Sequence, residues 1–219
     1  MARVLITSGP TRQYLDPVRY LTNASSGRMG RALAAAILEA GHSVVIVSGP
    51  VDVEYPTQAE VVRVVSTEEM LADCRRIFPS CDGLIGVAAP CDYRPVRIAV
   101  GKIQKNGQPL ELRLIETPDV VATLGAEKQA GQWLVGFALE TDDQRLRALA
   151  KLEKKSCDLM VLNGPQAMHS LDTEVEIIDK HGQAVAAFRG SKDEVSREIV
   201  REIQQRLIER GTRNAERGA

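Results

Sequence analysis

Aromatic residues are scarce in this sequence, since Phe, Trp and Tyr make up only 4% of its 219 residues. The core must therefore consist mainly of Val, Leu, Ile and Ala, and a chain of this length can bury one full core. Long apolar runs are missing too, because none approaches the ~20 residues of a membrane span. The apolar stretch at residues 4–6 is too short for a signal peptide. We expect a cytoplasmic protein without a membrane partner.

An excess of charge of one sign is also absent, because the formal net charge is -1. This balance gives no reason to expect a nucleic-acid partner. The four cysteines (Cys74, Cys81, Cys91 and Cys157) include no CxxC pair. Reduced thiols are therefore expected rather than a zinc or redox site, and we assign no metal ligands.

Two common nucleotide-binding motifs are missing as well. No GxxxxGK[ST] is present, which excludes a P-loop. Gly27-x-x-Gly30 matches only the last part of GxGxxG, and the second predicted strand ends in Ser48-Gly49-Pro50 without the acidic residue that would hold a ribose. The absence of Tyr-x-x-x-Lys argues against a short-chain dehydrogenase. An NAD(P)-binding oxidoreductase of Rossmann type is the main alternative to the function given below.

Short Val- and Ile-rich runs predict strands, and a period of 3.6 residues predicts helices. Strands are expected over residues 3–8, 42–48, 61–65, 82–88, 133–138 and 158–162. Helices are expected over residues 29–40, 67–77, 118–128, 143–155 and 191–210. Because most of these strands are apolar throughout, they indicate an α/β, Rossmann-like, mostly parallel sheet with helices on both faces.

The helix ends and the irregular regions carry further predictions. Thr67 and Thr117 are the expected N-caps of their helices, and Ser191 with Glu194 forms a capping box. Residues 91–108 predict a mobile loop, the alternation over residues 110–115 predicts a partly exposed strand, and residues 174–178 and 184–188 predict a hairpin. We expect a single domain over residues 1–210, with a frayed tail at 211–219.

The first strand-to-helix loop, from Gly9 to Gly30, is unusually long, since such loops commonly have about 2–6 residues. It ends in Ser25, Ser26 and Gly27, directly before a helix whose free N–H groups and dipole attract anions. Arg12, Arg19 and Arg28 add positive charge. We interpret the loop as an anion-binding site, although a capped helix after a solvated loop would also explain the Ser-Ser-Gly segment.

Three further segments are candidates for the same site. Ala88 and Ala89 follow the fourth strand and would let a flat base approach, while Asp92 could hold a ribose hydroxyl or a metal ion. Lysines in the flap, which we define as Gly101 to Lys105, could close over phosphates. Lys151 and Lys155 share one helix face. On spacing alone, the lysines of both segments fit a solvated surface better.

A set of motifs runs through the chain in the following order: Ile6-Thr-Ser-Gly-Pro-Thr-Arg12, Leu15-Asp-Pro-Val-Arg-Tyr20, Asn23-Ala-Ser-Ser-Gly-Arg-Met-Gly30, Val47-Ser-Gly-Pro50, Ala88-Ala-Pro-Cys-Asp-Tyr-Arg94, Lys102-Ile-Gln-Lys105, Pro118-Asp-Val-Val121, Gly136-Phe-Ala-Leu-Glu-Thr141 and Asp158-Leu-Met-Val-Leu-Asn163. Together they resemble the phosphopantothenoylcysteine synthetase family, and the resemblance covers nearly the whole chain. The family is often fused behind a flavin-dependent decarboxylase. This chain resembles the free-standing form or a cut-out domain, and nothing in it indicates flavin binding.

The resemblance implies a ligase that joins 4′-phosphopantothenate to L-cysteine in coenzyme A biosynthesis. The carboxylate would attack the α-phosphate of CTP to form an acyl-cytidylate and pyrophosphate, and cysteine would then displace CMP. Mg²⁺ would accompany the nucleotide phosphates. The bacterial-type pattern, which includes Lys151 and Lys155, implies CTP rather than ATP.

Residue roles follow from the same resemblance. Asn23 and Arg19 would act on the acyl group, and Lys102 would close over the α-phosphate. The implied nucleotide-binding residues are Ala88, Ala89, Asp92, Lys102, Pro118, Asp119, Val120, Val121, Phe137, Lys151 and Lys155. The implied phosphate-binding residues are Gly9, Pro10, Thr11, Ser25, Ser26, Gly27 and Gly30.

The resemblance also implies a homodimer, with residues 95–116 at the interface. The sequence departs from the usual family pattern at three places. Pro90-Cys91 replaces Val followed by Ala or Ser, which could place a thiol near the base. The flap lacks the commoner Glu-Lys-Ile-Lys-Lys, which leaves both Lys102 and Lys105 as candidates, although the register favours Lys102. Leu139 replaces a usual Ala.

Overall fold

The computed structural model of the chain describes residues 1–139, 144–163 and 172–209. In chain order, the strands are β1 (Arg3–Ser8), β2 (Arg12–Asp16), β3 (Arg19–Thr22), β4 (Ser43–Ser48), β5 (Glu60–Arg63), β6 (Gly83–Gly86), β7 (Tyr93–Pro95), β8 (Leu114–Glu116), β9 (Trp133–Leu139), β10 (Leu159–Asn163), β11 (Asp172–Asp179) and β12 (Ala184–Ser191). The helices are α1 (Arg28–Glu39), α2 (Thr67–Ile77), α3 (Val120–Ala126), α4 (Gln144–Lys154) and α5 (Lys192–Ile203).

Eight strands form one central sheet in the order β12-β11-β10-β9-β6-β1-β4-β5. The six strands from β10 to β5 pair in parallel, and β11 and β12 add an antiparallel edge. The predicted α/β, Rossmann-like architecture is therefore confirmed. None of the described helices is both long and apolar enough to cross a membrane.

Alternate side chains of the central strands enter two apolar layers, one on each face of the sheet. Leu5 packs in the layer that also contains Met70 of α2 and Leu124 of α3. Its neighbour Ile6 packs in the opposite layer, which contains Ile37 of α1 and Ile199 of α5. Because both faces are covered, the strands are apolar throughout, as the sequence predicts.

Two of the predicted helix caps are wrong. Ser66, not Thr67, accepts the N–H of Glu69 at 3.1 Å and caps α2. Asp119, not Thr117, accepts the N–H of Ala122 at 3.1 Å and caps α3, which is shorter than predicted. The capping box at Ser191 and Glu194 is confirmed at the start of α5.

The predicted loops contain two hairpins that the sequence analysis missed. Strands β2 and β3 pair antiparallel inside the long first loop, and β7 pairs with β8 across the flap. Asp16 makes the first hairpin turn, because its Oδ1 accepts the N–H groups of Val18 and Arg19 at 2.9 and 2.8 Å. The exposed strand predicted over residues 110–115 is confirmed only in its last part.

The C-terminal hairpin β11–β12 is confirmed and is longer than predicted. The final helix continues past α5 as a wider π-helical turn over Gln204–Ile208. The predicted start of a helix at Asp143, the Glu140-Thr141 part of one motif and the tail at 211–219 lie outside the described residues.

Candidate functional site

Two adjoining cavities lie at the carboxyl ends of the parallel strands, where open α/β sheets bind their ligands. The larger has a volume of about 500 Å³ and the smaller about 400 Å³. Ala88, Pro90, Asp92 and Phe137 line both of them. The two cavities therefore form one continuous cleft.

The smaller cavity contains most of the residues that the sequence assigns to a nucleotide base. Small Ala88 leaves space at one wall, and Phe137 provides an aromatic face for a planar group. The opposite wall consists of the segment at the start of α3, namely Pro118, Asp119, Val120 and Val121. The structure thus brings together side chains that are spread over residues 88–137 of the sequence.

The lysines at the end of α4 border this cleft. Lys151 lines the larger cavity, and Lys155 lines the smaller one. The Nζ of Lys155 lies 3.1 Å from Oδ1 of Asp119, which joins the end of α4 to the first turn of α3. Lys154 also lines the smaller cavity, and the sequence analysis missed it. Three ammonium groups therefore lie at this side of the cleft, and that of Lys155 is paired with Asp119.

The start of α1 forms one wall of the larger cavity. Gly27 precedes the helix with a φ of 74°, no side chain caps the first turn, and no acidic residue lies in it. The first-turn N–H groups and the helix dipole can therefore act on an anion. Ser25, Ser26 and Gly30 line the same wall. A Cβ on Gly30 would lie 2.1 Å from Ser8 Oγ, so glycine is required where α1 contacts β1.

Asn23 lies at the junction between the hairpin and this cleft. Its Nδ2 donates hydrogen bonds to the carbonyl of Pro90 at 2.8 Å and, more weakly, to that of Ala89 at 3.4 Å. The side chain is half-buried and lines the larger cavity. These two bonds fix the side chain beside the Ala88–Asp92 segment.

A third cavity of about 350 Å³ adjoins the cleft through Asn23, Ser25 and Ser26. Arg12 contributes a half-buried guanidinium, which stacks 4.5 Å from the ring centroid of Tyr20. A cation held against an aromatic ring keeps its charge available to a ligand. This cavity is therefore suited to an anionic group.

Two threonines that the sequence analysis interpreted as helix caps bind the Ala88–Asp92 segment instead. The N–H of Cys91 donates to Thr11 Oγ1 at 2.8 Å, Thr11 and Thr67 share a hydrogen bond of 2.8 Å, and Thr67 donates to the Cys91 carbonyl at 3.2 Å. Thr117 donates to that carbonyl at 2.6 Å. The partners are 24 or more residues apart, so no local pattern could reveal them.

We expect Thr67→Val to destabilise the fold by about 1–3 kcal/mol, because it removes the acceptor for the buried Thr11 hydroxyl and one of the two hydroxyl donors to the Cys91 carbonyl. The Ala88–Asp92 segment should loosen, and the KM for nucleotide should rise. Chemical denaturation measures the first effect and steady-state kinetics the second. Thr57→Val, which alters an exposed hydroxyl, should change the free energy of unfolding by less than about 0.5 kcal/mol. Equal effects of the two variants would contradict this role of Thr67.

Residues Gly9 to Thr11 contact the Ala88–Asp92 segment more than they contact the cleft. Ala89 donates its N–H to the Gly9 carbonyl at 2.9 Å, and Pro10 bridges to Ala89. Thr11 is completely buried. Of the three, Pro10 lines the third cavity, which contains Arg12 and is called the Arg12 cavity below. Their expected contact with phosphate stays a prediction.

Arg19, Lys102 and Lys105 line none of the three cavities described above. Both lysines are exposed on the flap. Arg19 donates through Nη1 to Asp16 Oδ2 at 2.9 Å and to the Ile103 carbonyl at 3.0 Å. The expected role of Arg19 at the acyl group therefore stays a prediction, and its observed contact is with the flap.

Cys91 does not present its thiol to the cleft. The residue is 7% exposed, and its Sγ lies 3.3 Å from the carbonyl of Tyr93, to which it donates. The four cysteines are all buried and unpaired with one another. Burial raises the pKa of the Cys74 thiol, and it raises that of Cys157 to about 12.

Comparison with known proteins places this fold and cleft in a family. The model of the DNA/pantothenate metabolism flavoprotein C-terminal domain matches residues 1–207. The Coenzyme A biosynthesis bifunctional protein CoaBC of Vibrio vulnificus (strain YJ016) is 38% identical over 207 residues, which cover 92% of this chain and 51% of that protein.

Two more similarities are informative. A Cysteine/Cysteine sulfinic acid decarboxylase from an unknown prokaryotic organism is 40% identical over 206 residues, or 92% of this chain and 57% of that protein. The crystal structure of the C-terminal domain of a CoaBC protein has a TM-score of 0.80 and 34% identity, and the match covers 95% of this chain and 96% of that one. The chain thus spans about half the length of the curated relatives it matches.

Proposed function

Because the chain belongs to the DNA/pantothenate metabolism flavoprotein C-terminal domain family, we propose that it is a ligase that joins 4′-phosphopantothenate to L-cysteine with CTP as co-substrate. The observation that carries the proposal is the continuous cleft from Phe137 to the uncapped start of α1, with Asn23 on its wall. Similarity to bifunctional coenzyme A biosynthesis proteins supports the choice of reaction.

The reaction has two steps. First, a carboxylate oxygen of phosphopantothenate attacks the α-phosphorus of CTP, which forms the acyl-cytidylate and releases pyrophosphate. Next, the cysteine amine attacks the acyl carbon, the bond to the phosphate oxygen breaks, and CMP leaves. The amine loses a proton as the amide forms. Such reactions depend mainly on placement and on neutralisation of charge.

In this proposal, the parts of the nucleotide contact different parts of the cleft. The base lies between Phe137 and the segment at the start of α3, and the triphosphate lies toward the N–H groups of α1. Lys151 and Lys155 lie at the end of α4 and line the cleft, and their ammonium groups favour the binding of CTP there. Because the triphosphate is strongly negative, the dipole of α1 and these ammonium groups both favour its binding.

Mg²⁺ fits this cleft through the nucleotide rather than through a dedicated protein site. Asp92 lines both cavities and offers an exposed carboxylate, and oxygen donors of this kind suit Mg²⁺. When bound, the ion would neutralise charge on the phosphates. Such an ion is bound by a few carboxylates together with substrate phosphates and water.

Phosphopantothenate occupies the Arg12 cavity in this proposal. The cavity meets the cleft at Asn23, so a ligand there can present its carboxylate to the α-phosphate. Asn23 holds the acyl group, and the guanidinium of Arg12 faces a negatively charged substrate. The flap lysine, Lys102, neutralises charge that develops on the α-phosphate and the acyl oxygen.

The apolar surface of residues 93–115 supports a homodimer. Ile98, Val100, Leu110 and Leu112 are among its large apolar side chains, and their exposed fractions range from 39% to 100%. Apolar patches of this kind mark protein interfaces. A second copy of the chain is the partner that we propose.

We expect the chain to sediment as a dimer at micromolar concentration and the double change Leu110→Lys and Leu112→Lys to raise the dimer Kd by about tenfold or more. Two added charges on each copy would meet in the interface. Val65→Lys alters an exposed apolar residue outside this surface and should leave the mass unchanged. Analytical ultracentrifugation distinguishes these cases, and a monomeric wild type would contradict the proposal.

The proposed function is tested by incubating the chain with 4′-phosphopantothenate, L-cysteine, CTP and Mg²⁺ and following products by mass spectrometry. Phosphopantothenoylcysteine and CMP should appear in equal amounts. Omission of CTP should stop product formation. Because one relative is named as a decarboxylase, the same mixtures are analysed for loss of carbon dioxide from cysteine. Decarboxylation without amide formation would overturn the proposal.

A further inference from the structure

The flap and the residues just before it are attached to the β2–β3 hairpin at two points. Ala99 donates its N–H to the Leu15 carbonyl at 2.9 Å, and Ile103 is bound through both its N–H and its carbonyl. Between residues 96 and 116, these are the residues that are only partly exposed, while the rest of the segment is exposed. The hairpin thus fixes a chain segment that otherwise has little contact with the core.

Asp16 is the centre of the second attachment. Its carboxylate is completely buried, and its Oδ2 accepts the N–H of Ile103 at 3.1 Å and Nη1 of Arg19 at 2.9 Å. The same Nη1 donates to the Ile103 carbonyl. One residue of the flap, Ile103, is therefore held through both its N–H and its carbonyl by a charge-assisted pair whose carboxylate is buried.

The charge of Asp16 persists at neutral pH. Burial by itself would raise the pKa of Asp16, but the N–H groups of Val18, Ile103 and Arg19, together with the Arg19 charge, outweigh it and hold the pKa below the ordinary value of 3.8. Because the pKa of Asp16 is lowered, its carboxylate stays charged until the pH falls to that lowered pKa. The attachment is therefore lost only in acid.

The position of this attachment connects two catalytic candidates. Ile103 directly follows Lys102, and strand β3 of the same hairpin ends at Thr22, directly before Asn23. A single rigid hairpin therefore determines where the flap lysine begins and where the Asn23 amide lies. Displacements of about 1 Å can lower catalytic rates by about 100-fold.

We propose that Asp16, together with Arg19, is a positioning residue that attaches the flap to the hairpin and so fixes Lys102 relative to Asn23. The catalytic part of this inference rests on the proposed ligase function, whereas the attachment itself can be measured without it.

Trypsin cleavage can measure the attachment, because trypsin cleaves after Lys102 and after Lys105. The Lys102–Ile103 bond lies at the attachment, and the Lys105–Asn106 bond lies in the exposed flap. Asp16→Asn retains the Oδ1 acceptor of the hairpin turn but replaces the charged Oδ2 with an amide donor that faces two other donors. We expect cleavage after Lys102, relative to cleavage after Lys105, to increase about tenfold.

Asp158→Asn is the matched control. Like Oδ2 of Asp16, Oδ2 of Asp158 accepts one hydrogen bond from a cationic side chain and one from a backbone N–H. The donors are Lys128 Nζ at 2.7 Å and the N–H of Leu134 at 2.8 Å, and Asp158 lies away from the flap. This variant should leave the cleavage ratio unchanged. An unchanged ratio in Asp16→Asn, or equal increases in both variants, would overturn the attachment.

Ligase kinetics test the catalytic half. Asp16→Asn should lower kcat about tenfold while the KM for CTP changes by less than about threefold, because the flap is displaced and the nucleotide cavity is intact. A raised cleavage ratio with unchanged kcat would overturn the positioning role. If wild-type protein shows no ligase activity while the ratio still responds, the proposed function fails and the attachment stands.

Discussion

Asn23→Asp is expected to lower kcat for phosphopantothenoylcysteine formation by about 100-fold or more, a loss comparable to removal of an oxyanion-hole donor. In the wild type, Nδ2 of Asn23 donates to the carbonyls of Pro90 and Ala89. A carboxylate cannot donate to either, and its charge would repel both those carbonyls and the substrate carboxylate. The side chain should leave its position, and an anionic substrate should be disfavoured.

Gln132→Glu provides the matched control for this change. Nε2 of Gln132 also donates to two backbone carbonyls, those of Phe78 and Cys81, at 2.8 and 2.7 Å, but Gln132 lines neither cavity of the cleft. It should lower stability without a comparable loss of kcat. Steady-state rates and thermal unfolding of both variants separate the two effects. Wild-type turnover in a folded Asn23→Asp protein would remove Asn23 from the mechanism.

The second large effect is expected for Lys102→Gln, which should reduce kcat by about 100- to 1000-fold with little change in nucleotide affinity. The reason is that a flap ammonium neutralises charge that appears mainly in the transition state. Lys105→Gln removes the same kind of charge three residues further along the exposed flap. It should change kcat by less than about threefold, since the attachment at Ile103 fixes the chain next to Lys102 and not next to Lys105.

Rapid-quench kinetics with CTP distinguish the two lysines most directly. The acyl-cytidylate should form slowly in Lys102→Gln and at a near-normal rate in Lys105→Gln. The reverse result would show that Lys105 acts on the α-phosphate and that the flap register assigned from the sequence is wrong.

The sequence was sufficient for the parts of the fold that depend on local pattern. Strands such as β1 and β4 contain continuous apolar runs because both faces are buried, and the Ser191–Glu194 capping box is complete within four residues. The cleft residues were also predicted, but they were assigned mostly through resemblance. Phe137 and Val121, for example, have no feature in their own neighbourhood that indicates a base.

What the sequence could not predict depends on contacts between distant residues. Thr67 and Thr117 lie at or near the starts of helices, so a cap was the natural local interpretation, yet their hydroxyls donate to the carbonyl of Cys91. The contacts of Arg19 Nη1 with Asp16 and with Ile103, the latter 84 positions away, were not predicted either. Side-chain hydrogen bonds of this range leave no periodic signal in the sequence.

A pyrophosphate-release assay without cysteine tests the central claim most directly. With CTP, Mg²⁺ and 4′-phosphopantothenate, wild-type chain should release about one equivalent of pyrophosphate per active site, and addition of cysteine should then start continuous turnover. ATP in place of CTP should give a much smaller release. Release that does not depend on phosphopantothenate, or amide formation without pyrophosphate, would contradict an acyl-cytidylate ligase.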